Sequence, residues 1–200
     1  RIYAEGGGFY IRNQSSIANR FVINSDGHID LKTNVDCEAG IDVTGAITGT
    51  ADATINSVTV GKGNNSMANN TVFGRDALEN VTANGNSAFG ANALQDLTSG
   101  IGNTAVGNSA GRNITTANGN VAIGQTSLSN TTTGGHNTAL GNNTLAGNTT
   151  GEDNVAIGSQ ALDANTTASN NTAVGRSALG ANTTGRQNVA IGNQALESNT

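Results

Sequence analysis

Two hundred residues with 28 Gly, 31 Asn, no Pro, no Trp and 12% charged side chains lack the makings of an ordinary globular core, and a net charge of -5 with nine scattered basic residues offers no patch for phosphates. Nucleic-acid binding is therefore not expected. Neither is membrane insertion of this segment, since no apolar run approaches the roughly 20 residues needed to span. Cys37 stands alone, which excludes an intrachain disulfide and a Cys/His metal set.

Residues 1–57 read as an N-terminal β-shaft or connector. Arg1 to Glu5 and Phe9 to Asn13 flank Gly6-Gly7-Gly8, which suggests two short strands about a turn. Phe21 to Asn24 and His28 to Leu31 flank Ser25-Asp26-Gly27, where Asp-Gly supplies the positive φ of a tight hairpin. Ile41, Val43, Ala46 and Ile47 suggest further extended pieces. These pieces bury too little alone, because ordering each residue costs roughly 1 to 2 kcal/mol, so strands interwound from several chains are expected. Residues 58–69 read as a transition, with Val58, Val60 and Gly61 as a degenerate first coil.

From 70 to 200 one short phrase recurs eight times. Gly74, Gly90, Gly107, Gly124, Gly141, Gly158, Gly175 and Gly192 are spaced by 16 once and then by 17. Asn stands four places before each glycine (Asn103 and Asn171, for example), Thr eight places after (Thr183), and an aliphatic or aromatic residue immediately before (Val106, Val174). The residue two places before is Ala in seven units (Ala105, Ala173) and Val72 in the other. Leu follows four places after in seven units (Leu179), with Gly111 the exception. A fixed short period marks a stacked repeat architecture, and 17 residues are too few for a helical hairpin.

The expected fold is all-β, a parallel β-roll of about eight 17-residue coils stacked about 4.8 Å apart. Strand alternation puts Thr172 and Val174 on one side and Ala173 on the other, and so small a face implies close packing against it. The Ala-Leu pair is placed on a second strand, with Leu inside the coil opposite the Val174-type residue. The glycine suits a corner that a Cβ would obstruct, and the Asn column suits a ladder of amides.

No catalytic, cofactor or metal site is expected. The acidic residues of the repeats, Asp76, Glu79, Asp96, Glu152, Asp153, Asp163 and Glu197, read as solvated loop charges rather than an acid-base pair. His28 and His136 read as exposed turn histidines. The sequons at Asn130, Asn148, Asn165 and Asn182 recur in phase with the coil, which points to turn chemistry rather than glycosylation. An ice-binding Thr column is a remote alternative.

Asn-Thr-Ala-Val-Gly (103–107 and 171–175), Asn-Val-Ala-Ile-Gly (120–124, 154–158 and 188–192) and the Ala-Leu that follows resemble the head repeats of YadA-like trimeric autotransporter adhesins, a phrase also widespread in phage tail fibres. The resemblance covers about 130 residues. It implies a left-handed β-roll in a tight homotrimer, with the Ala face as the meeting place of chains. The period of 17 departs from the shorter adhesin repeat by a longer loop. Asp26 to Leu31 and Gly40 to Gly45 look like the shaft segments of phage fibres. The expectation is a non-enzymatic segment of a longer phage tail-fibre chain in the virion, with other tail proteins and a host-surface glycan or protein receptor as partners. The alternative is the head of a trimeric adhesin on a bacterial outer surface.

Overall fold

The computed structural model describes the backbone of residues 2–5, 8–12, 19–23, 29–31, 53–55 and 58–59, and residues 60–62 and 69–198 in full. The described residues form strands and turns without a helix. Contacts divide the chain into two units, Arg1–Thr48 and Gly49–Thr200. The expected boundary after residue 57 falls within the second unit, because the strand at 53–55 pairs onward with the strand at 58–61.

In the first unit β1 (Ile2–Glu5), β2 (Gly8–Arg12), β3 (Asn19–Ile23) and β4 (Ile29–Leu31) form an antiparallel meander in sequence order. Tyr3 pairs with Tyr10, and Val22 with both Tyr10 and Asp30. These ladders pair neighbouring segments of one chain. His28, Cys37 and the stretch from Gly40 to Gly49 lie outside the described residues.

The second unit opens with an antiparallel hairpin of β5 (Ala53–Ile55) and β6 (Val58–Gly61). β6 then pairs antiparallel with β7 (Thr71–Gly74), Val60 opposite Phe73. Val58 to Gly61 is thus not a degenerate first coil but a strand running the other way, which covers the edge that β7 would otherwise expose. From β7 the sheet is parallel: β8 (Ser87–Phe89), β9 (Thr104–Val106), β10 (Val121–Ile123), β11 (Thr138–Leu140), β12 (Val155–Ile157), β13 (Thr172–Val174) and β14 (Val189–Ile191) follow in sequence order. Ala105, Ala122, Ala139, Ala156, Ala173 and Ala190 pair in one unbroken column. From β7 onward the second unit is a β-solenoid, with a first step of 16 residues and 17 for each coil after it.

Each parallel strand is three or four residues long and ends at the glycine, whose φ lies between 126° and 141° from Gly90 onward. No L side chain adopts that conformation without strain. Close stacking makes a second demand: a Cβ on Gly107 would lie 2.6 Å from the Gly124 carbonyl oxygen, well inside contact distance. The residues after the glycine form turns, so the expected second strand is absent among the described residues. Leu78, Leu94, Leu128, Leu145, Leu162 and Leu179 have φ near 50° yet are fully buried. Burial of a leucine stabilises by roughly 1.5 to 3 kcal/mol, enough to outweigh a left-handed residue costing about 1 to 2 kcal/mol.

The interior is narrow, and the small residues belong to it. Val72, Ala88, Ala105, Ala122, Ala139, Ala156, Ala173 and Ala190 are all 3% exposed or less. The alanine face expected to meet other chains is therefore the inner wall of the coil, and what packs closely on it is the chain's own opposite wall. Val174 and its equivalents, placed inside from the sequence, point outward instead.

Candidate functional site

The buried Asn column holds the coil shut. The Asn86 side-chain oxygen accepts from the Asn103 backbone N–H at 2.9 Å and from its Nδ2 at 3.2 Å, while Asn103 Nδ2 also donates to the Ala117 carbonyl at 2.8 Å. The backbone bond repeats without a gap from Asn70 to Asn188, and Asn171 carries its share by accepting from Asn188 N at 3.0 Å. Each amide therefore joins the strand to the next coil and to the loop across the interior. An unsatisfied buried group would cost about 1 to 3 kcal/mol, which explains why no shorter or apolar side chain takes this place.

A second buried ladder was concealed in the sequons. Asn165 Nδ2 donates to Asn148 Oδ1 at 2.9 Å and to the Ala168 carbonyl at 3.0 Å, and Asn182 repeats the pattern toward Asn165 and Gly185. Asn148, Asn165 and Asn182 are fully buried, whereas Asn130 is exposed. The same column is Val81, Leu97 and Ile114 in the earlier coils, all buried. The signal that could have revealed this ladder is the Asn-to-glycine spacing of seven, which it shares with those aliphatics.

The Thr column, exposed or half-buried, is bonded along the stack. Hydroxyls of Thr82, Thr98, Thr115, Thr132, Thr149 and Thr166 each donate to the carbonyl of the next Thr, ending on Thr183. Their protons are used between coils.

The titratable groups do not converge. Among the described residues no three of His, Cys, Asp and Glu gather as a metal set. His136 is exposed, in a left-handed turn with φ 58°, its ring lying over Gly119. Glu79, Gln95 and Arg112 form a surface chain of hydrogen bonds, Gln95 Nε2 to Glu79 at 3.2 Å and Arg112 Nε to Gln95 at 3.2 Å. Asp163 and Glu197 share that column two coils apart. Partial burial pushes the Asp163 carboxyl up, backbone N–H groups offset part of this, and Glu197 adds a smaller push upward. A carboxyl raised in the folded state favours folding below its unfolded pKa and loses that contribution as pH rises through the folded value. Asp163→Asn should therefore flatten the fall in melting temperature between about pH 3 and pH 6, a window around the ordinary carboxylate range. An unchanged slope would remove Asp163 from that titration.

The feature left unmatched is the outer face of the parallel sheet. Phe73 (53% exposed), Phe89 (42%), Val106 (39%), Leu140 (42%) and Ile157 (37%) stand in one column, with Ile123 and Val174 half-buried among them. Two places before each lies a second outward column, Thr71, Ser87, Thr104, Val121, Thr138, Val155, Thr172 and Val189. Neither column carries a charge. At about 4.8 Å per coil the eight rows extend about 34 Å from first to last, an uncharged strip with one column apolar throughout, of the kind that marks an interaction surface.

No helix among the described residues is long and apolar enough to cross a membrane. No family model, curated protein or solved structure matches the chain.

Proposed function

We propose that the solenoid is a structural segment of a homotrimeric fibre, in which three copies bring their outward aliphatic columns together about one axis. The observation that carries this reading is the uncharged outer strip on β7–β14, with its unbroken aliphatic and aromatic column, beside an interior that each chain completes by itself. Closed coils need no partner for their own walls, so the strip is free to join copies. The segment acts mechanically: three rigid stacks hold a host receptor-binding tip away from a virion, and the phage tail fibre is the setting, as the repeat phrase and the leading segments suggest. It performs no catalysis in this reading.

Electron microscopy of phage particles labelled with antibody to residues 70–198 tests the setting. Label along the tail fibres is the expected result. Label on the envelope of uninfected bacteria would overturn the fibre reading in favour of the adhesin head.

A further inference from the structure

The outward face carries a second, longer period that the interior does not. Strands β9 to β14 read Thr-Ala-Val, Val-Ala-Ile, Thr-Ala-Leu, Val-Ala-Ile, Thr-Ala-Val and Val-Ala-Ile. The inward residue is Ala in all six, so coil packing has no use for the alternation. Only the exposed columns change, from a hydroxyl with a β-branched or leucine neighbour to a pair of bulkier aliphatics, and back. Thr104, Thr138 and Thr172 make no side-chain hydrogen bond to another described residue, unlike the column from Thr82 to Thr166, which bonds from coil to coil. The aromatic pair Phe73 and Phe89 occurs only at the first two coils.

We propose that this alternation, with the phenylalanine pair at one end, is a register key that makes copies of the chain associate side by side with equal coils level. The proposal rests on the reading of the strip as a self-association surface. A strictly repetitive strip would let a neighbour slide by one coil, about 4.8 Å, and lose only one row of contacts. Here a one-coil slip sets Thr104 against Val121 and Thr138 against Val155, burying hydroxyls with no acceptor. With equal coils level, Thr faces Thr, and a hydroxyl both donates and accepts, so the layer satisfies itself. A two-coil slip restores Thr against Thr but forces Phe73 against Val106 and Phe89 against Ile123, a mismatch of volume in a close-packed interface. The partner that fits this code is another copy of the chain, because no other surface need share a 34-residue alternation.

Cysteine cross-linking in the 200-residue chain, with Cys37→Ser to remove its own thiol, reads the register directly. A disulfide spans Cα atoms about 5.5 Å apart, and a one-coil offset takes such a pair to about 7.3 Å, out of range. Chains carrying Thr138→Cys should cross-link to one another on mild oxidation. Thr138→Cys chains co-expressed with tagged Val155→Cys chains should cross-link to those at least about tenfold less. Levelling the strip with Thr104→Val, Thr172→Val, Phe73→Ile and Phe89→Ile should bring the two products within about twofold of one another, while the assembly keeps its mass. Equal products in the otherwise native chain, or an unchanged preference in the levelled one, would overturn the register key and leave self-association standing. A monomeric native chain would overturn both.

Discussion

Asn137→Ala is expected to lower the unfolding free energy by about 3 to 5 kcal/mol, although it removes only a neutral side chain. Asn137 Oδ1 accepts from Asn154 N at 3.0 Å and from Asn154 Nδ2 at 3.1 Å, and its own Nδ2 donates to the Gly151 carbonyl at 2.9 Å. Alanine leaves the Asn154 backbone N–H buried without an acceptor and opens a small void between coils. The Gly151 carbonyl keeps the Asn148 donor at 3.0 Å, which sets the upper limit of the loss. Exposed Asn142, whose side chain makes only 3.5 Å contacts to Gln125, is the control, and its alanine variant should stay within about 0.5 kcal/mol of wild type. Urea unfolding followed by circular dichroism separates the two. Equal, small losses would show that the buried ladder does not hold the coils together.

The second large effect comes from the corner glycines, where two substitutions that look alike in sequence should differ. Gly175 has φ 132°, and a Cβ there would lie 2.2 Å from the Gly192 carbonyl oxygen. Gly192 has φ 129°, but the nearest atom to its added Cβ is Ala195 Cβ at 3.8 Å. In the 200-residue chain, with no coil stacked on it, Gly192→Ala therefore meets only the backbone strain, about 1 to 3 kcal/mol. Gly175→Ala meets the same strain and must also push two coils apart, so a loss above about 4 kcal/mol is expected. Similar melting temperatures for the two variants would mean that the close approach of coils is not what requires glycine.

The period of 17, the Asn column and the glycine corner were legible because each is forced by stacking: a parallel coil sets like over like, so any residue the stack needs must recur in phase. Which wall faces inward was not legible from alternation alone. Ala173 and Val174 point to opposite sides in either case, and large residues ordinarily lie inside. The solenoid reverses this because its interior is one coil wide, with room for alanine on the strand only when Leu179 enters from the facing turn. That turn was missed for the same reason, since leucine seldom adopts positive φ and nothing local announces it. The second ladder at Asn148, Asn165 and Asn182 was hidden by Thr-Thr, which makes the same three residues resemble exposed sequons.

Inverting the walls moves the candidate meeting surface from Ala173 to Val106, Ile123, Leu140 and Ile157. The interior now accounts for the alanines without help from other chains. The surface proposed to meet other copies is the outer strip, whose exposed apolar side chains would gain most from being covered.

The mass of the 200-residue chain in solution, by sedimentation equilibrium at micromolar concentration, tests this most directly. Three times the 19.9 kDa of one chain is the expected result, falling to a single chain with unchanged β-sheet circular dichroism when Ile157 is replaced by Lys. A wild-type chain that sediments at 19.9 kDa with its solenoid intact would contradict the fibre.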